Sequence, residues 1–124
     1  MMDAVGIDVI YLLSPTSSAK RVKLVAEAAR GYIYYVSLKG VTGAGNIDTS
    51  EVESMIAKIK AETKLPVGVG FGIRDGETAR RIAGFADAVV IGSRIIEEME
   101  AATPDTAVEK VRVLLKDIRR TMDS

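Results

Sequence analysis

Four short apolar runs, each followed by apolar residues at helical spacing, restrict this chain to very few architectures. Val9-Ile10-Tyr11-Leu12-Leu13, Tyr32-Ile33-Tyr34-Tyr35-Val36 and Ala88-Val89-Val90-Ile91 are continuous, and Val67-Gly68-Val69-Gly70 is shorter and glycine-rich. Such runs suit parallel strands buried on both faces. Between them, Val22, Val25, Ala26 and Ala29 fall at i, i+3, i+4 and i+7, and Val52, Met55, Ile56 and Ile59 repeat the spacing. Ala79, Ile82, Ala83 and Ala86 do so again, the last at or past a helix end, and Val111, Leu114, Leu115 and Ile118 mark a final helix. Each set forms one apolar stripe that faces a sheet.

The punctuation predicts the same β-α-β-α-β-α-β-α order. Ser50 and Glu53 have capping-box spacing. Asp75 is a candidate N-cap, and Thr103-Pro104 reads as N-cap followed by the first helical residue. Gly31 and Gly84 stand where helices end on a left-handed residue, and Pro66 separates a helix from Val67. Connections are too short to hold a separate domain, so residues 1–124 are expected to form one domain. Its sheet should be parallel, with right-handed crossovers.

Composition narrows the functional classes. Seventeen Lys and Arg balance seventeen Asp and Glu, so charge gives no case for nucleic acid or an anionic membrane surface. No cysteine and no histidine are present. That removes thiolate chemistry, the commonest general base and the commonest metal ligand, so no metal or cofactor is expected. No apolar run approaches the roughly 18 residues of a membrane span. The opening Met1-Met2-Asp3-Ala4 lacks a basic, apolar signal segment. A cytoplasmic location is therefore expected.

The chemistry-bearing features are glycines. Gly70-Phe71-Gly72-Ile73 and Val90-Ile91-Gly92-Ser93-Arg94 lie at successive strand ends, and Gly40-Val41-Thr42-Gly43-Ala44-Gly45 follows the Tyr32–Val36 run. Glycine lets backbone approach a ligand closely, and amides at a strand-to-helix turn favour an anion. Each cluster alone is equally at home in tight strand–helix packing. Two at successive strand ends favour a joint phosphate site, because βα barrels build theirs after their last two strands. Ser93 could add a hydroxyl or simply cap the helix that follows. The stretch from Ser37 to Thr49 exceeds the usual two to six residues of a βα connection, which suits either a connector or a closing lid. Tyr34 shares a strand face with Tyr32 and Val36, and it reads either as core or as a ligand contact. No carboxylate lies inside an apolar run, so the residues offer a ligand site without an acid–base pair.

The segments Gly31-Tyr32-Ile33-Tyr34-Tyr35-Val36-Ser37, Gly40-Val41-Thr42-Gly43-Ala44, Pro66 to Ile73 and Ala86 to Ser93 stand in an order that strongly resembles the alpha subunit of bacterial tryptophan synthase. The resemblance runs from about Gly6 onward. It implies a TIM (β/α)8 barrel of which this chain is a parallel (βα)4 half, strands five to eight. It implies a lyase that cleaves indole-3-glycerol phosphate to indole and glyceraldehyde 3-phosphate by retro-aldol chemistry. Indole then passes to a beta subunit that carries pyridoxal phosphate. By this resemblance Gly43, Gly72, Gly92 and Ser93 contact the substrate phosphate. Tyr34, Phe71 and Val90 line the pocket, and Thr42 belongs to the mobile loop. The family's catalytic carboxylates belong to the first half of the barrel, so no residue here inherits them. The chain alone is expected to be inactive, to need a missing N-terminal half, or to pair with itself as a homodimer. A phosphate-binding module without catalysis and a self-associating assembly module are the alternatives.

Overall fold

The computed structural model describes residues 3–37 and 49–124. A short 3-10 turn at Asp3–Val5 precedes β1 (Leu12–Leu13), α1 (Ala19–Ala28), β2 (Ile33–Val36) and α2 (Ser50–Glu62). Then come β3 (Val67–Gly70), α3 (Gly76–Ala83), β4 (Ala88–Val90), α4 (Ser93–Glu100) and α5 (Ala107–Asp123). The strands form one parallel sheet in the order β1-β2-β3-β4. Tyr34 pairs with Leu12 and Gly68, Tyr35 with Leu13 and Val69, and Gly70 with Val36 and Val90.

That register sorts the side chains. Leu13, Ile33, Tyr35, Val67 and Val69 point to one face and are buried there. Against them pack Val22 and Val25 of α1, Val52, Ile56 and Ile59 of α2, and Ala79 and Ile82 of α3. These are the helical stripes of the sequence, and burying each Val or Ile side chain among them contributes roughly 1.5–3 kcal/mol. The other face carries Leu12, Tyr34, Val36, Gly68, Gly70, Ala88 and Val90. Leu12 is 55% exposed and Val90 39%. Burial on both faces, as the apolar runs predict, is thus realised on one, because the described residues place no second layer over the other. Among the described residues, β3 is the strand buried along its whole length. A Cβ on Gly68 would lie 3.8 Å from the Tyr32 ring, and one on Gly70 would lie 2.5 Å from the Tyr34 hydroxyl. The two aromatic rings therefore lie across the glycines of β3.

Several local expectations need correction. β1 is two residues long rather than five, and Val9 is 40% exposed. The helix between β4 and the final helix adds an element to the simple alternation. The Ser50/Glu53 box does not form: Ser50 lies inside α2 and Thr49 is the cap, without a side-chain bond. Thr103-Pro104 opens a turn in which Thr103 and Thr106 hydroxyls lie 2.9 Å apart, and Thr106 precedes α5. Gly84 ends α3 in the right-handed region at φ −66°, whereas Gly31 is left-handed at φ +78°. Leu115 of the final stripe is 40% exposed, and Ile118 is its buried member.

Other signals hold. The Asp75 carboxylate accepts from the Thr78 amide at 2.8 Å, the cap that its position predicts. Asp87, just ahead of β4, accepts from the Val67 amide at 2.9 Å, and Lys60 Nζ lies 3.3 Å away. The Val67 hydrogen bond first, and Lys60 after it, hold this carboxyl below its ordinary pKa.

Candidate functional site

The carboxyl ends of β2, β3 and β4 surround a cavity of about 310 Å3. β2 and its end contribute Tyr34, Val36 and Ser37. β3 and the turn after it contribute Gly70, Phe71, Gly72 and Ile73, and β4 with the start of α4 contributes Val90, Gly92 and Ser93. The structure thus gathers six of the eight residues proposed from sequence: Tyr34, Phe71, Gly72, Val90, Gly92 and Ser93. Gly43 and Thr42, with the whole Gly40–Gly45 stretch, lie outside the described residues.

Each member has a local reason for its place. Tyr35, one residue on, is the core tyrosine and is fully buried, which turns Tyr34 to the open face. Burial, and then Glu51, raise the Tyr35 hydroxyl above the usual tyrosine pKa. Gly72 has φ +56°, a left-handed conformation that glycine adopts without a Cβ penalty. Gly92 is the N-cap of α4 at φ −121°, and a Cβ on it would meet nothing within 4 Å. Neither packing nor a positive φ demands glycine there. A side chain at this position would instead project into open space beside the cavity. Ser93 is the first helical residue, so it is not the cap. The Ile95 and Ile96 amides bond the Gly92 carbonyl at 2.9 and 3.2 Å. The amides ahead of them belong to the part of a first turn that has no partner within the helix. The helix dipole makes that end attractive to an anion.

None of the lining residues carries a formal charge, and Tyr34 supplies the one phenol among them. No group of three or more metal-ligating side chains is found among the described residues. Gly70 and Ile73, of the glycine cluster read from the sequence, also line the cavity, as do Val36 and Ser37, which were not singled out as site residues. Val36 was legible as a face-mate of Tyr34. Ser37 is fixed by its amide, which donates to Gly70 O at 2.9 Å. A larger groove of about 420 Å3 lies between α4 and α5, edged by Glu98, Glu109, Lys110 and Asp117, and holds none of the glycine clusters.

A parallel βα sheet with one open apolar face and a glycine-lined cavity at its strand ends is the arrangement expected of part of a βα barrel. Comparison with known proteins agrees. A family model described as tryptophan synthase alpha chain matches residues 1–123, and the chain belongs to that family. It is 59% identical to the tryptophan synthase alpha chain of Dechloromonas aromatica over 122 residues, covering 98% of this chain and 46% of that relative. The relative from Azoarcus sp. is 58% identical over 121 residues, with 98% and 45% covered. The crystal structure of tryptophan synthase subunit alpha from Legionella pneumophila matches with a TM-score of 0.82 at 36% identity, covering 98% of this chain and 44% of that one. A structure of Mycobacterium tuberculosis tryptophan synthase matches with a TM-score of 0.82 at 30% identity and the same coverage. The chain therefore spans slightly less than half the length of the relatives it matches. Its four βα units correspond to part of a TIM barrel.

Proposed function

We infer that the cavity at the ends of β2, β3 and β4 is a phosphate cradle, and that the chain supplies the phosphate-binding half of a tryptophan synthase alpha barrel. The observation that carries this reading is the convergence of Gly72, Gly92 and Ser93 on one uncharged cavity at the N-terminus of α4. Amides at a helix start bind phosphate without any cationic side chain. In this role Ser93 Oγ donates a further hydrogen bond, while Tyr34, Phe71 and Val90 wall the space beside the phosphate. Gly43 and Thr42 belong to the same reading through the loop after β2.

The substrate class follows from the family. Indole-3-glycerol phosphate would lodge its phosphate in this cradle and be cleaved to indole and glyceraldehyde 3-phosphate, with indole passed to a tryptophan synthase beta subunit. Cleavage of that carbon–carbon bond requires proton transfer to and from the substrate. No carboxylate lines the cavity. These residues therefore position the substrate, and acid–base groups on other barrel strands complete the reaction. No cofactor is needed for the part played by this chain.

Calorimetric titration with glycerol 3-phosphate tests the cradle. Losing the Ser93 hydroxyl removes a charge-assisted hydrogen bond of roughly 1.5–3 kcal/mol, so Ser93→Ala should weaken binding about tenfold or more. Equal affinities for the chain and the variant would remove Ser93 from the site, and absence of any binding would remove the cradle.

A further inference from the structure

We propose that the Arg74–Glu97 ion pair is a strap that sets the position of the α4 N-terminus against the turn after β3, making both of them positioning residues for anion binding. The proposal rests on the cradle reading above. Arg74 follows Ile73, a lining residue on the β3 side, and Glu97 lies one helical turn beyond Ser93, a lining residue on the β4 side. The guanidinium holds both carboxylate oxygens, Nη1 to Oε1 at 2.9 Å and Nη2 to Oε2 at 2.6 Å. A two-pronged Arg–carboxylate contact fixes orientation as well as distance. Neither side chain lines the cavity.

α4 packs against α5, none of whose residues lines the cavity. No α4 residue is buried, whereas α3 buries Gly76, Thr78, Ala79 and Ile82. The helix joins β4 through Ile91 and Gly92, and glycine brings no side chain to fix the junction. Arg94–Glu98, at 2.7 Å, ties α4 to itself. Lys60–Asp87 sits at the opposite ends of the strands. Among the described residues, Arg74–Glu97 is the ion pair that joins the two walls of the cavity. Both side chains are nearly half exposed, so the pair contributes little to global stability. Its effect falls on the angle at which the first α4 amides meet the anion.

The sign of the effect separates positioning from simple charge. Glu97→Gln removes a negative charge near an anion site, so electrostatics alone predicts tighter phosphate binding. A lost strap predicts weaker binding, by about fivefold, within the range by which residues away from a ligand alter its affinity. Inorganic phosphate is titrated into the unsubstituted chain, into Glu97→Gln, and into the charge-swapped double variant Arg74→Glu/Glu97→Arg. The swap restores an ion pair at unchanged net charge and should recover most of the lost affinity. Amide hydrogen exchange without phosphate should quicken across Ser93–Ile96 in Glu97→Gln and return toward the original in the swap, with the melting temperature and α3 exchange unmoved. Phosphate affinity in Glu97→Gln equal to or tighter than that of the unsubstituted chain overturns the strap, as does unchanged exchange in α4. If the unsubstituted chain binds no phosphate, the cradle itself is wrong and the proposal falls with it.

Discussion

Glycine stands in three different settings in this chain, and single substitutions separate them. Gly76 packs: a Cβ there would come within 2.6 Å of Thr121 Cβ and 2.7 Å of its Oγ1, where α3 meets α5. Gly76→Ala gains up to about 1 kcal/mol of helix propensity, but overpacking costs about 1–3 kcal/mol. A lower urea midpoint is expected, partly restored by Thr121→Gly. Gly72 is conformational. At φ +56°, Gly72→Val meets backbone strain of roughly 1–2 kcal/mol before any ligand is considered. Gly92 is neither, because a Cβ on it meets open space. Gly92→Ala should therefore leave the urea midpoint near that of the parent chain while weakening phosphate binding about tenfold, a dissociation that calorimetry and unfolding measure side by side. The sequence marks all three positions with the same letter. Only the surroundings and backbone that the fold gives each one separate a packed glycine, a left-handed one and one that faces open space.

At the scale of elements, legibility tracks how much of a segment is buried. The stripes of α1 and α2 are readable because each points at one buried sheet face, and the Asp75 cap because its carboxylate needs only the Thr78 amide three residues on. The helix expected after Ser93 forms as α4, although nothing on it is buried. β1 is shorter than the Val9–Leu13 run because apolar residues alone do not make a strand: Val9 is exposed, and pairing with β2 reaches only Leu12 and Leu13, of which Leu13 is buried. Capping letters misled where the true first turn began one residue earlier or three later, at Thr49 and Thr106. Asp87 shows how a single carboxylate can tie elements together. Its pKa is lowered in the fold by the Val67 amide and then by Lys60, so its contribution is present above the unfolded carboxylate pKa near 3.9 and is lost as pH falls through the lower folded value. Stability measured by urea from pH 6 to pH 3 should therefore fall less steeply in Asp87→Asn than in the parent chain. Parallel slopes would show that the Val67–Asp87 contact contributes nothing across that range.

At the scale of the molecule, the consequence of the fold is an apolar sheet face with two open strand edges, β1 and β4. Leu12, Tyr32 and Val90 are all more than a third exposed on or beside it. A closed barrel whose interior is filled by side chains takes about eight strands, and unpaired edges invite further pairing. A two-fold axis would place β4 of one copy beside β1 of another and close such a barrel. Sedimentation equilibrium of the 124-residue chain at micromolar concentration should show a species heavier than 13.3 kDa. A monodisperse monomer with cooperative unfolding would contradict that expectation. The same chain should release no indole from indole-3-glycerol phosphate, since its cavity holds no carboxylate to move the protons. Turnover above background would place an acid among these residues that the cavity does not show. The phosphate cradle itself is tested by amide chemical-shift mapping with millimolar inorganic phosphate. Saturable shifts are expected to concentrate at Gly72, Gly92, Ser93 and Arg94, with the outer faces of α1 and α2 unmoved. Shifts absent at those four amides, or spread evenly over the basic surface, would contradict it.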